Sequence, residues 1–197
     1  AGDLMQQAGI AERLVRVADA AMGRIRGGLG VVDVGASMMF GGVSGSAVAS
    51  VSALGSTLIP LMKEKGYDSD YAVNVTSTSA ILGILIPPSH NMIIYAAAAG
   101  VSVSVADLFL AGVLPGILTG IMLAAAAWII AVRRGYPKGE FPGWPAFAAA
   151  FASALPGLLT AVIIFGGVLG GVFTPTESSA VAVIYTLVIA VIVYRTL

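Results

Sequence analysis

Cysteine is absent from the 197 residues, which excludes disulfides and thiolate metal sites. Charge is scarce. Only 10% of residues are Asp, Glu, Lys or Arg, against about 25% in soluble domains, too few to cover a soluble surface. The formal net charge is zero and no basic stripe is present, so nucleic acid is not an expected partner. Histidine occurs once, at His90, without neighbouring ligands for a transition-metal site. No nucleophile elbow, HExxH or P-loop pattern occurs, so an ATP-driven pump would need its motor on another chain. The sequence opens without Met and without a basic, then apolar, leader. It stops on the apolar "VIVYRTL", as expected of a piece of a longer protein.

What remains is apolar. Hydrophobic residues make up 58%, with a mean hydropathy of +0.96. The charges cluster and leave long neutral runs: Val34 to Met62, Tyr71 to Ala106, Leu108 to Val132, and Phe141 to Thr176. Each exceeds the roughly 20 residues that cross a bilayer as a helix. The expected class is an all-α integral membrane protein, a multi-spanning helical bundle.

Residues 3–26 read as an amphipathic helix. Leu4, Ala8, Ala11, Leu14, Val15, Ala18, Met22 and Ile25 share a face, and Glu12, Arg13, Arg16, Asp19 and Arg24 lie off it. Such a helix lies in the membrane interface, braces one bundle against another, or ends a preceding span.

The run that follows carries its weakest helix formers, "GGVSGS" at residues 41–46, near its middle. Basic residues flank it on both sides, Arg24 and Arg26 before it and Lys63 and Lys65 after it. Basic flanks favour the cytoplasm. A single crossing would put one pair outside; a re-entrant hairpin with its tip at the glycine-serine stretch keeps both inside. Its legs, 34–42 and 47–62, would rise about 14 Å and about 24 Å, each reaching about the middle of a roughly 30 Å core. Later segments then place Arg133, Arg134, Lys138 and Arg195 on the same face.

Residues 71–100 are apolar but broken by "IPPSHN", 86–91. Pro87 and Pro88 each remove a backbone donor, and Ser89, His90 and Asn91 follow at once. A glycine-serine tip and an unwound helix expose backbone carbonyls and N–H groups inside the membrane, where they survive only in protein or beside water. Discontinuous helices of this kind bind ions and substrates in secondary transporters. The candidate ion- and substrate-binding residues are Ser44, Gly45, Ser46, Thr78, Pro87, Pro88, Ser89, His90 and Asn91. His90 is read as a neutral hydrogen-bonding group, with proton carriage as the alternative. The polar residues 76–79 line the cavity or bond carbonyls of their own helix. Thr174, Pro175 and Glu177 read as a helix start with a capping box, so Glu177 is structural.

Three stretches carry a family resemblance: "GGLGVVDVGASMMFGGVSGSAVASVSALGSTLIPLMKEKGY", "IPPSHNMIIYAAAAGVSVSVADLFLAGVLPGILTG" and "GGVFTPTESSAVAVIYTL". They resemble, in order and spacing, the large membrane subunit of tripartite ATP-independent periplasmic (TRAP) transporters, the DctM-like permeases. That resemblance implies an ion-coupled importer of the bacterial inner membrane, moving organic acids such as dicarboxylates, often with sodium and without an organic cofactor. It also implies an elevator-type fold of two inverted repeats, each with a re-entrant hairpin and a broken helix. The implied partners are a periplasmic substrate-binding protein and a small membrane subunit. Ser44, Gly45 and Ser46 fall on the first hairpin tip, and Pro87, Pro88 and Ser89 on the first broken helix. These build one ion site and half of the substrate cavity. The chain lacks the leading helices and the second hairpin, and His90–Asn91 stand where many relatives carry apolar residues or proline. The alternatives are an elevator-type anion carrier working without a binding protein, and a membrane-embedded enzyme using His90 and Glu177.

The expected organisation is an arm over 1–28 and a first-repeat transport core over 29–135, with the hairpin at 33–62, the broken helix at 71–100 and a span at 107–132. A cytoplasmic loop at 136–145 and the start of a second repeat at 146–197, with two spanning helices, complete it.

Overall fold

The computed structural model describes residues 8–99, 103–139 and 142–194, and they are helical almost throughout. In chain order the helices are α1 (Ile10–Met22), α2 (Gly28–Ser44), α3 (Ala47–Glu64), α4 (Ser69–Ser79), α5 (Leu82–Leu85), α6 (His90–Ala98), α7 (Val105–Arg133), α8 (Trp144–Leu169) and α9 (Pro175–Val188). A π-helical turn, Ile189–Val193, continues α9. By length and composition, α7 and α8 are long and apolar enough to cross a membrane, and α4–α5 with α6 form a third such unit bent by 46°.

α2 and α3 form an antiparallel helical hairpin, because two levels of α4–α5 touch both legs. Near the tip, Gly83 meets Gly41 of α2 and Ser50 of α3. Farther down, Thr76 meets Asp33 of α2 and Gly55 of α3. Phe40 on one leg and Leu54 and Leu58 on the other are fully buried in the same core. α2 begins earlier than the charge pattern predicts. Asp33 does not mark the boundary of the apolar helix but lies inside it, fully buried, because hydroxyls from α2 and α4 satisfy its carboxylate.

α1 packs on this hairpin and on α8. Ile10, Leu14 and Val15 join the hairpin core with Ala154, and Ile10 sits against Gly157. Arg13 lies over the Tyr194 ring at 3.9 Å. The predicted polar face holds for Glu12, Arg16, Asp19 and Arg24, which are exposed, but Val17 and Ala20 widen the buried face. The arm is therefore a brace between hairpin and α8; Leu4 of the predicted face lies outside the described residues.

α7 carries Gly112, Gly116 and Gly120 at four-residue spacing, all buried. Side chains from the broken helix and the hairpin fill the groove they leave: Met92 at Gly112, Ile86 at Gly116 and Met38 at Gly120. Within a bilayer, packing between helices rests on such close van der Waals fit.

The loop ends are clasped outside the apolar core. Arg134 pairs with Asp68 at 2.9 Å and with Asp70 at 3.1 Å. The Tyr136 hydroxyl donates to Asp68 at 2.7 Å, and the rings of Tyr67, Tyr71 and Tyr136 pack together in tilted and edge-on contacts. Gly27 N–H donates to the Pro137 carbonyl at 3.0 Å, tying the start of α2 to the loop after α7.

Helix α9 and its π-helical continuation run from Pro175 to Val193, with an apolar stretch over Ala180–Val193. Its start is as read. The Thr174 side chain accepts from Glu177 N–H at 3.3 Å, and Glu177 accepts from Thr174 N–H at 2.8 Å, a complete capping box.

Candidate functional site

The hairpin tip is short because of Gly45. α2 ends as Gly45 takes φ +63°, its N–H donating to the Gly41 carbonyl at 2.8 Å, a left-handed cap that suits glycine. Ser46 is extended at φ −139° and restarts the helix, its side chain accepting from Ala49 N–H at 3.4 Å. Ser44 Oγ donates to the Ser46 carbonyl at 3.5 Å, so the hydroxyls of Ser44 and Ser46 lie on the tip itself.

The broken helix unwinds for a different reason. Ile86 is extended at ψ 125° because proline follows, and neither Pro87 nor Pro88 has an N–H to continue the helix. The bond between them is cis. Ser89 stands before α6 but does not cap it; its hydroxyl turns back to donate to the Ile84 carbonyl at 2.8 Å.

These two interruptions meet. His90 N–H donates to the Gly45 carbonyl at 3.4 Å, and His90 Nδ1 lies 3.1 Å from the same oxygen. A Cβ placed on Gly45 would stand 2.7 Å from the Pro88 carbonyl oxygen, and one on Gly42 would stand 3.4 Å from that of Pro87. The Ser46 carbonyl lies against Gly83. Backbone touches backbone: the Pro88 carbonyl faces Gly45, the Pro87 carbonyl faces Gly42, and the Gly45 carbonyl faces His90.

Four helix ends converge there. α2 and α5 bring C-termini, whose partial charge is negative, while α3 and α6 bring N-termini, whose partial charge is positive. The site presents hard oxygen atoms for a cation and N–H groups for an anion, with no charged side chain of its own.

Of the candidate residues, Ser44, Gly45, Ser46, Pro87, Pro88, Ser89 and His90 come together. Asn91 follows on the first turn of α6 and is exposed. His90 is exposed, and its ring reaches the tip from one side. Thr78 lies elsewhere: its hydroxyl donates to the Asn74 carbonyl, and it lines a cavity of about 360 Å³ between α4 and α7. Glu177 is exposed and belongs to its capping box. Among the described residues, no three His, Cys, Asp or Glu gather as metal ligands do.

Sequence reasoning missed a second polar group, Asp33 with Ser37, Thr76 and Ser79, all buried. The signal was present, a lone acid four residues from a serine inside an apolar run, but its hydroxyl partners on α4 are distant in sequence.

A family model described as "Tripartite ATP-independent periplasmic transporter, DctM component" matches residues 1–197. The C4-dicarboxylate TRAP transporter large permease protein DctM of Vibrio cholerae is 46% identical over 195 residues, covering 99% of this chain and 43% of that protein. The sialic acid TRAP transporter permease protein SiaT of Haemophilus influenzae is 41% identical over 196 residues, covering 100% and 32%. The ectoine/5-hydroxyectoine TRAP transporter large permease protein UehC of Ruegeria pomeroyi is 42% identical over 197 residues, covering 100% and 46%. The chain thus spans less than half the length of these curated relatives. It belongs to the DctM family of TRAP transporter components, which are multi-pass inner-membrane permeases rather than enzymes.

Proposed function

We propose that this chain forms the first half-site of a sodium-coupled importer of small organic acids, in which the α2–α3 hairpin enters and leaves the membrane from the cytoplasmic face. The observation that carries this reading is the contact between Gly45 and the Pro88–His90 break. Sodium is a hard cation and takes oxygen ligands, and the carbonyls and hydroxyls of the tip supply them. An acidic solute faces the N-terminus of α6, where the helix dipole favours negative charge. The names of the relatives, which include C4-dicarboxylate and sialic acid permeases, support an organic acid.

In the full protein, a second hairpin and broken helix complete the cavity. The small-residue groove of α7 keeps the hairpin and the broken helix packed on one rigid span, so that they move together as one body against a scaffold. A periplasmic binding protein delivers the solute, and a small membrane subunit steadies the scaffold. The test is uptake in proteoliposomes holding the full-length permease and its small subunit, under an inward sodium gradient, with the cognate binding protein added or withheld. The reading predicts uptake only with the binding protein present. Equal uptake without it contradicts the reading and favours a carrier that captures solute directly.

A further inference from the structure

The second polar group, well down the hairpin leg from the tip, has no place in that reading. Asp33 is fully buried, and Ser37, Thr76 and Ser79 are each 1% exposed. Thr76 Oγ1 donates to Asp33 Oδ2. Ser79 Oγ stands 3.3 Å from Asp33 Oδ1, Ser37 Oγ stands 3.5 Å from the same oxygen, and the two serine oxygens are 2.9 Å apart. Of the charged and titratable groups on the elements around α2, Tyr71 reaches the same stretch of the helix, its hydroxyl beside Gly30 and within electrostatic reach of Asp33. Glu12, Arg13, Arg16 and Asp19 are on α1, Lys63 and Glu64 at the base of α3, Asp70 and Tyr71 at the start of α4, and Asp107 and Arg133 at the ends of α7. α5 and α8 carry none. Tyr71 is committed to the Ala127 carbonyl at 2.9 Å. None of these groups hydrogen-bonds or pairs with Asp33 among the described residues.

A carboxylate so placed needs neutralising, because an unpaired buried charge is costly. We propose that Asp33 is a proton-binding site, loaded through Ser79 from the cavity between α4 and α7, and distinct from the ion site at the hairpin tip. The hydroxyls support both states by rotation alone, since each can donate or accept. With Asp33 ionised, Ser37 donates to Ser79, Ser79 to Oδ1, and Thr76 to Oδ2. With Oδ1 protonated, that proton goes to Ser37, Ser37 donates to Ser79, and Ser79 donates to the Thr76 carbonyl, 3.1 Å away. One proton is gained and no polar atom is orphaned. Each oxygen on this path lies within 3.5 Å of the next, so the proton is taken up by turning hydroxyls alone. The loading route begins at a cavity that adjoins the cluster. Ser79 lines the cavity of about 360 Å³ together with Asn74 and Thr78, and the exposed Asp70–Arg134 pair lines it too. Water reaching Ser79 is one hydroxyl away from Asp33.

The test uses the purified full-length permease in lipid nanodiscs and reads infrared difference spectra between acidic and alkaline buffer. A protonated-carboxyl band is expected in the wild type and is lost in Asp33→Asn. Ser79→Ala keeps Asp33 and removes the relay, so the band should remain but respond more slowly to a pH jump. Because neither readout depends on uptake, failure here is separate from failure of the sodium reading. A band unchanged in Asp33→Asn overturns the proposal. So does an Asp33 signal that follows sodium concentration instead of pH, which would make the cluster a sodium site. If Asp33→Asn does not fold, a pH response in Ser79→Ala as fast as in the wild type also overturns it.

Discussion

His90 meets Gly45 twice, through its backbone N–H at 3.4 Å and its ring Nδ1 at 3.1 Å, both on the Gly45 carbonyl oxygen. One glycine on the hairpin thereby orients the first residue of the half-helix after the break. The contact is possible because residue 45 has no side chain. Its φ is +63°, and a Cβ would press on the Pro88 carbonyl at 2.7 Å.

Gly45→Val should therefore abolish uptake by the full-length transporter while membrane insertion and expression persist. Strain at the left-handed position and the clash with Pro88 act together. Gly45→Ala carries both faults in milder form and should retain less than wild-type uptake. Radiolabelled solute uptake, set against permease abundance in the membrane, checks both. Full uptake in Gly45→Val would show that tip and break need not touch.

Ser46 has two duties, and they can be separated. Its hydroxyl caps α3 through Ala49 N–H, a contact worth about 1 kcal/mol, and stands at the proposed cation site. Ser46→Ala should lower thermal stability modestly and raise the sodium concentration for half-maximal uptake. Ser46→Asn retains a capping acceptor, so it should recover stability without recovering wild-type sodium affinity. A normal sodium requirement in Ser46→Ala would remove this hydroxyl from the ligand set.

The groove of α7 predicts a packing effect. A Cβ on Gly116 would lie 2.9 Å from Ile86 Cγ1, so Gly116→Leu should destabilise the protein by about 1–3 kcal/mol through overpacking. Pairing it with Ile86→Ala should recover part of the loss, because the added volume then has space. Thermal unfolding in detergent reads this, and additive losses in the double variant would contradict the contact.

The clasp outside the apolar core predicts a pH effect. Hydrogen bonds from Arg134 hold the Asp70 carboxyl below its ordinary range. A depressed folded-state value means that the contribution is present above the unfolded-state pKa and is lost as pH falls through the folded one. Acidification should loosen the Arg134–Asp70 link, and Arg134→Ala should remove that part of the acid sensitivity. Melting temperatures of both forms across acidic pH test this; parallel profiles would mean that the pair is without consequence.

Much of this arrangement is legible in the sequence because it depends on local chemistry. Gly45 among serines, two prolines at 87 and 88, and Thr174 three residues before Glu177 each dictate a backbone event within a few residues. The helix ends they predict are present. What sequence reasoning does not reach depends on partners far along the chain. Asp33 reads as the end of an apolar run, because a charge stops such a count, yet Thr76 and Ser79 let it sit inside a helix. Lys63, Lys65 and Arg134 read alike as basic flanks, but Arg134 bridges two aspartates across the bundle. Gly112, Gly116 and Gly120 show their spacing plainly, while the side chains that fill them, Met92, Ile86 and Met38, come from two other elements.

Binding of the coupling cation and of part of an acidic solute at the tip and the break can be read from uptake in proteoliposomes containing the full-length permease, its small subunit and its binding protein, with sodium and proton gradients imposed separately. An inward sodium gradient should drive uptake, a proton gradient alone should not, and His90→Gln should keep the sodium dependence. Uptake driven by a proton gradient without sodium, and abolished by His90→Gln, would contradict this assignment.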